Sequence, residues 1–242
     1  MGRITAMSDL DGRVVAIAGA SGGLGPSVAT RLAAGGATIA GVDRSEEHLE
    51  SLRAQLELPD DRFDGRVVDL LDEQAARQWA VDLRERFGRV DALLHLVGGW
   101  RGGQPLAEAP LSDYEWLHDL LVRTVQHTTR AFHDALAESD HGRFVLVSAS
   151  QAQSPTATNA SYAAAKAAAE SWTLALAESF KESAATANII VVNAILTPRM
   201  REQNPDKEYR TFTSAEQIAE AIAFVCSDAA AKMNGKRLSL HP

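Results

Sequence analysis

The chain has a single cysteine, Cys226, so it can form no internal disulfide. Cys226 sits in an apolar stretch with helical spacing, which marks a buried structural thiol rather than a nucleophile. Apolar runs are short, and none approaches the roughly eighteen residues of a membrane span. Residues 1–8 lack an apolar signal core and read as a loose arm, with the fold starting near Asp9. A cytoplasmic location without a membrane partner is expected. Positive charge is in deficit, with 24 Lys and Arg against 32 Asp and Glu, a net charge of −8. No basic patch is available to neutralise a phosphate backbone, so nucleic acid is not an expected partner. Seven histidines are present, but there is no HExxH or CxxC and no pair at metal-ligand spacing. No catalytic metal is therefore expected. Internal repeats, low-complexity segments and composition breaks are absent as well.

What is present suits one large core: 45% of residues are hydrophobic and 23% charged. Strand and helix patterns alternate along the chain. Short apolar runs over 14–18, 37–42, 66–68, 90–97, 144–147, 188–195 and 236–240 read as strands. Helical periodicity covers 27–34, 45–58, 72–87, 111–138, a segment from Tyr162 to about 183, and 214–227. Capping boxes are expected at Ser112 with Glu115 and at Ser214 with Gln217. The alternation predicts an α/β fold of about seven strands, a doubly wound parallel sheet with helices on both faces. It is read as one domain over 9–242.

Two constellations carry chemistry. The first strand runs directly into Gly19-Ala20-Ser21-Gly22-Gly23-Leu24-Gly25, and a helix follows. Gly19 allows the tight turn, while Gly23 and Gly25 let a backbone and a pyrophosphate approach. The helix N-terminus attracts the phosphates, and Pro26 costs little in its first turn. The second strand ends at Asp43, eighteen positions after Gly25, where a carboxylate can accept from the adenosine ribose hydroxyls and repel a 2′-phosphate. Arg44 follows and could instead welcome that phosphate. NAD is the expected cofactor, with NADP the alternative. The second constellation is Tyr162 and Lys166, four residues apart at the start of an Ala-rich helix. That spacing puts both side chains on one face. An ammonium beside a phenol lowers a pKa that starts near about 10, and such a pair can pass a proton.

The order of these landmarks resembles the short-chain dehydrogenase/reductase family over nearly the whole chain. The family's TGxxxGxG appears from Ala18 to Gly25 with Ala in place of Thr. Its acidic-apolar pair near the adenine matches Asp69-Leu70, its YxxxK matches Tyr162 and Lys166, and the Asn of its sixth strand matches Asn193. Asn234-Gly235 before a short strand resembles its ending. The resemblance implies that Tyr162 is the general acid or base in a carbonyl/alcohol interconversion. Lys166 would lower the tyrosine pKa and bind the nicotinamide ribose, and the hydride would pass between nicotinamide and substrate. Ser21, Gly22 and Leu24 complete the cofactor loop, and Gly98 ends the fourth strand. Thr197 is the candidate for touching the nicotinamide amide. A small-molecule carbonyl or alcohol is the implied substrate, and a homodimer or homotetramer the implied assembly.

Four departures stand out. The family's strand-end serine, thirteen residues before the tyrosine, falls on Ala149. Ser150 is the preferred replacement if the backbone turns there, with Ser148 next. The family's NNAG reads His95-Leu96-Val97-Gly98, and His95 is read as a satisfied strand-end histidine. A helix Asn that supports a water-linked proton relay aligns with Leu121. The substrate-covering segment, 199–213, is short and polar. Trp100 and Arg101 could line the entrance, and Trp172 and Phe180 could face a second subunit. Retention of Tyr162 and Lys166 favours an enzyme; Ala149 and Leu121 suit a dinucleotide-binding protein with little turnover.

Overall fold

The computed structural model describes residues 10–241, and the expected arm over 1–8 lies outside them. Seven strands form one parallel sheet in the order β3-β2-β1-β4-β5-β6-β9. They are β1 (Val14–Ala18), β2 (Thr38–Asp43), β3 (Phe63–Val67), β4 (Ala92–His95), β5 (Arg143–Ala149), β6 (Thr186–Val192) and β9 (Arg237–Ser239). The residues of β1, β4, β5 and β6 are buried throughout, as strands covered on both faces must be. Alternation then sorts their side chains. Val15, Ile17 and Ile39 join one cluster with α1 (Gly25–Ala34) and α8 (Ala215–Cys226). Ala16, Ala18, Ala40 and Val42 join the other, with α3 (Glu73–Phe87), α5 (Thr124–Glu138) and α6 (Ala160–Ser179). β1 pairs with both β2 and β4, so the strand order reverses between β1 and β4. The carboxyl ends of those two strands therefore open a crevice, the usual ligand position in such a sheet.

The caps follow sequence in several places. Ser45 accepts from His48 N ahead of α2 (Glu46–Leu56), and Asp72 accepts from two first-turn N–H groups of α3. The Ser214–Gln217 box opens α8. Asn234 ties the chain end to the core, accepting from Ala187 N and donating to the Ala177 carbonyl.

Five expectations are corrected. The helix read over 111–138 is α4 (Leu111–His118), a π-helical turn (Asp119–Arg123) and α5. The Ser112–Glu115 box is absent, because Pro110 is the cap and Ser112 already lies inside the first turn. The sixth strand stops at Val192. Beyond Asn193, β7 (Ala194–Leu196) leaves the sheet and pairs with β8 (Phe212–Ser214). The segment read as a polar lid is thus partly ordered: α7 (Pro198–Gln203), capped by Thr197, precedes β8. Phe180, read as an outward contact, is 1% exposed and stacks on His133. Among the described residues no helix is long and apolar enough to cross a membrane.

Candidate active site

The site begins at the turn from β1 into α1. Gly19 has φ +81, and a Cβ there would lie 3.0 Å from Val97 N, so the turn can run against the exit of β4. At Gly25 a Cβ would fall 2.0 Å from the Ala20 carbonyl oxygen, which leaves no room for any side chain. α1 starts without a side-chain cap, so its first N–H groups and its dipole remain available to an anion. The Ser21 hydroxyl is buried at this turn without a hydrogen-bond partner. A loop with an unused buried hydroxyl and an uncapped helix end fits a dinucleotide pyrophosphate.

Next to the turn lies a cavity of about 250 Å³. Gly19, Gly22, Asp43, Arg44, Asp69, Leu70 and Gly98 line it, all of them expected cofactor residues. Ser21, Gly23, Leu24, Gly25, Thr197, Tyr162 and Lys166 are not part of the lining. Leu24 is 5% exposed and packs in the core with Val28, so its side chain serves the fold. Thr197 stands beside the glycine turn, with its methyl 3.0 Å from where a Gly23 Cβ would be. The Asp43 carboxylate accepts from Ser21 N at 3.2 Å and from Arg44 N at 2.7 Å. Each oxygen keeps acceptor capacity for a ribose hydroxyl. The Arg44 side chain is exposed.

Sequence reasoning missed seven lining residues: Val42, Val68, Leu71, Leu96, Val97, Leu120 and Thr124. Thr124 could not be placed by helical periodicity. The π turn makes Thr124 N bond to Asp119 O, five residues back, and rotates everything after it. Leu121 is 1% exposed and belongs to a small cluster with Leu117, Val122 and Ala165, against which Tyr162 packs.

Tyr162 and Lys166 sit in the first turns of α6 on one face. Buried alanines at 163, 165 and 169 bring the helix close to the sheet. Lys166 is 6% exposed and donates to the Val147 carbonyl on β5 at 2.9 Å. Its Nζ lies 6.0 Å from the Tyr162 ring centre. Burial pulls the lysine down to about 8, against the opposing pull of Glu170 one turn on. Burial also pushes the tyrosine up to about 12. The expected lowering of the Tyr162 pKa is therefore absent here. The ammonium is engaged with a strand carbonyl, and desolvation of the phenolate decides the sign.

The serines separate cleanly. Ser148 is 1% exposed with no hydrogen-bond partner, while Ala149 closes the strand. Ser150 opens a 3₁₀ turn, is half-buried, and donates to Asn193 Oδ1 at 3.2 Å. At the rim, Trp100 is 60% exposed. Arg101 stacks 4.2 Å over Trp116 and pairs with Asp113, so it is not free for a substrate carboxylate. Cys226 is buried, and burial pushes its thiol up to about 12, consistent with a structural role.

A family model described as short chain dehydrogenase matches residues 13–208. The chain belongs to the short-chain dehydrogenase family. It is 26% identical over 244 residues to the 3-oxoacyl-[acyl-carrier-protein] reductase FabG of Escherichia coli (strain K12), spanning 96% of this chain and 97% of that one. Two solved structures align closely. The short-chain glucose/ribitol dehydrogenase from Brucella melitensis has 27% identity and a TM-score of 0.83, covering 96% of each chain. A blue fluorescent protein from a metagenomic library, in complex with NADPH, has 28% identity and a TM-score of 0.82, covering 96% of this chain and 98% of that one. This short-chain dehydrogenase is an NAD(P)-dependent oxidoreductase.

Its buried lysine has a measurable signature. Lys166 titrates lower when folded, at about 8 against 10.5, so the folded chain holds fewer protons between those values. Stability should therefore rise as pH climbs through that window. Tyr162 acts oppositely from pH 10 to about 12, where the folded chain holds the extra proton. Urea unfolding at a series of pH values checks this. Lys166→Met should be more stable at neutral pH, on the order of 2 kcal/mol, and should lack the rise above pH 8. A wild-type profile flat across that range would contradict the assignment.

Proposed function

We propose that this enzyme interconverts a small-molecule carbonyl and alcohol, with Tyr162 as general acid or base and Lys166 as its support. The observation that carries this reading is the pair itself: one helix face holds a packed phenol and an ammonium anchored to the neighbouring strand. Bound nicotinamide supplies or takes the hydride. Tyr162 gives its proton to the carbonyl oxygen during reduction and takes it back in the other direction. Lys166, with a depressed pKa and two N–H groups not engaged by Val147, binds the ribose hydroxyls and favours the phenolate once the site is filled and its charge turns outward. Ser150 supplies the hydroxyl that the family has at Ala149, because it lies on the turn beyond the strand and is partly accessible. Ser148, sealed under the helices, supports from behind.

NAD is the proposed cofactor. Asp43 faces the cavity with spare acceptor capacity, and a 2′-phosphate beside it would meet like charge. Arg44 is the feature that would favour NADP. Gly19, Ser21, Gly22, Gly23, Gly25 and the backbone of Leu24 form the phosphate loop of this reading. Asp69, Leu70 and Gly98 flank the adenosine end, and Thr197 the nicotinamide end. One domain over 9–242 and a cytoplasmic location complete it; a single buried thiol suits a reducing compartment.

Tyr162→Phe tests the chemistry. Turnover of NADH with a panel of carbonyl compounds should fall by roughly 10²–10⁴, while NADH binding stays near wild type. Turnover kept within a few-fold would contradict the role given to Tyr162. The assembly is proposed as a homodimer or homotetramer. A hollow of about 390 Å³ between the outer sides of α3, α5 and α6, with Trp172 at its wall, supports a subunit contact there. Light scattering at micromolar concentration should give at least twice the 26.0 kDa chain mass; a monomer would count against it.

A further inference from the structure

Ser150 lies beyond the last residue of β5, and the pairing with β6 ends one residue earlier, at Ala149 with Val192. The sheet therefore does not hold it. The 3₁₀ turn that carries it (Ser150–Ala152) is fixed by other contacts. At its near end Asn193 Oδ1 accepts from Ser150 Oγ at 3.2 Å and from Gln151 Nε2 at 3.4 Å. At its far end Gln153 N and Ser154 N both donate to the Ser150 carbonyl, at 3.1 and 3.0 Å. From there Gln153 reaches back to the core, its Nε2 donating to Glu170 Oε2 at 3.4 Å.

Glu170 lies in the middle of α6 and is 1% exposed. A carboxylate at such depth is disfavoured unless it is paired. Arg237 on β9 supplies the pair, with Nε 2.6 Å from Oε2. Stability alone gives no reason for the pair, since apolar residues of similar volume do as well or better in a buried position. Both contacts converge on one oxygen, while Oε1 is buried with no hydrogen-bond partner. The guanidinium fixes the direction of Oε2, and β9 is itself paired with β6. A continuous strap thus runs from the edge strand across α6 to the turn of Ser150. The Glu170 charge also acts on Lys166, one turn earlier on α6.

We propose that Glu170 is a positioning residue for Ser150: through Gln153 it ties the far end of the 3₁₀ turn to Arg237 on β9 and so presents the hydroxyl at a fixed place beyond the strand. This rests on the role given above to Ser150. A hydroxyl at position 149 would be held by the strand pairing and would need no strap. One residue further on, the turn can pivot about its contact with Asn193, and a tie at its other end removes that freedom.

Amide hydrogen exchange on the protein without dinucleotide reads the strap directly. Gln153→Met and Glu170→Met should each let the Ser154 amide exchange roughly tenfold faster, with the amides of β5 unchanged. Glu170→Gln keeps an oxygen for Gln153 and should lose less. Full protection of Ser154 in Gln153→Met would overturn the proposal. Kinetics then separate positioning from mere structure. Gln153→Met is the variant to use, because it leaves the charge beside Lys166 in place. With NADH and the fastest carbonyl compound of the panel, kcat should fall roughly tenfold while NADH affinity stays unchanged. On top of Ser150→Ala the same substitution should cost nothing further. Equal losses in both backgrounds would mark a general structural effect and overturn the positioning role. Wild-type turnover in Ser150→Ala would show that the reading of Ser150 itself has failed, and the positioning role with it; the exchange result, which needs neither cofactor nor substrate, reports the strap alone.

Discussion

Lys166 brings an ammonium into the interior and meets the Val147 carbonyl at 2.9 Å. An isolated charge at such depth is strongly disfavoured unless it is paired or hydrogen-bonded. The surrounding structure meets that demand. Alanines at 163, 165 and 169 let α6 settle onto the sheet until the lysine reaches a strand carbonyl. Glu170 supplies a carboxylate one turn on and is itself held by Arg237 at 2.6 Å. Burial first, and then the same charge, keep His95 neutral. Tyr162, one turn before the lysine, is carried into its packed position by the same helix.

Two parts of the molecule can then be joined. On one side the glycine turn is compressed until Gly25 has no room for a methyl group, and Asp43 ties Ser21 to the end of β2. On the other Tyr162 packs on the small cluster that contains Leu121. The π turn lies between them. Leu120 and Thr124 line the cavity, while Thr124 also holds His95. One irregular turn therefore touches both the cavity beside Asp43 and the surroundings of the lysine.

The parts legible in the sequence are those governed by a period or a steric demand. Apolar runs gave the sheet, the strand-glycine-helix order gave the tight turn between β1 and α1, and four-residue spacing gave the Tyr162–Lys166 face. Local breaks in a regular pattern hid part of the rest. A π turn adds one residue without changing hydrophobic composition, so 111–138 reads as a single helix and Thr124 cannot be assigned a direction. Asn193 breaks a run that looks continuous, and the following residues pair away from the main sheet. Phe180 follows an exposed-looking helix end yet folds back under it. The sign of the Tyr162 shift depends on burial, which no spacing rule contains. His95, read as satisfied, has Nε2 at 3.1 Å from Thr124 Oγ1 but a buried Nδ1 without a partner, which depends on the π turn and not on spacing.

The central claim is that the β1/β4 crevice takes a dinucleotide with its adenosine ribose on Asp43. Titration of the purified protein with NADH and with NADPH, followed by nicotinamide fluorescence, tests it most directly. The account predicts saturable binding of both forms, with NADH the tighter and the preference lost in Asp43→Ala. Tighter NADPH binding would contradict the ribose role of Asp43, and no binding of either would remove the crevice as a cofactor site.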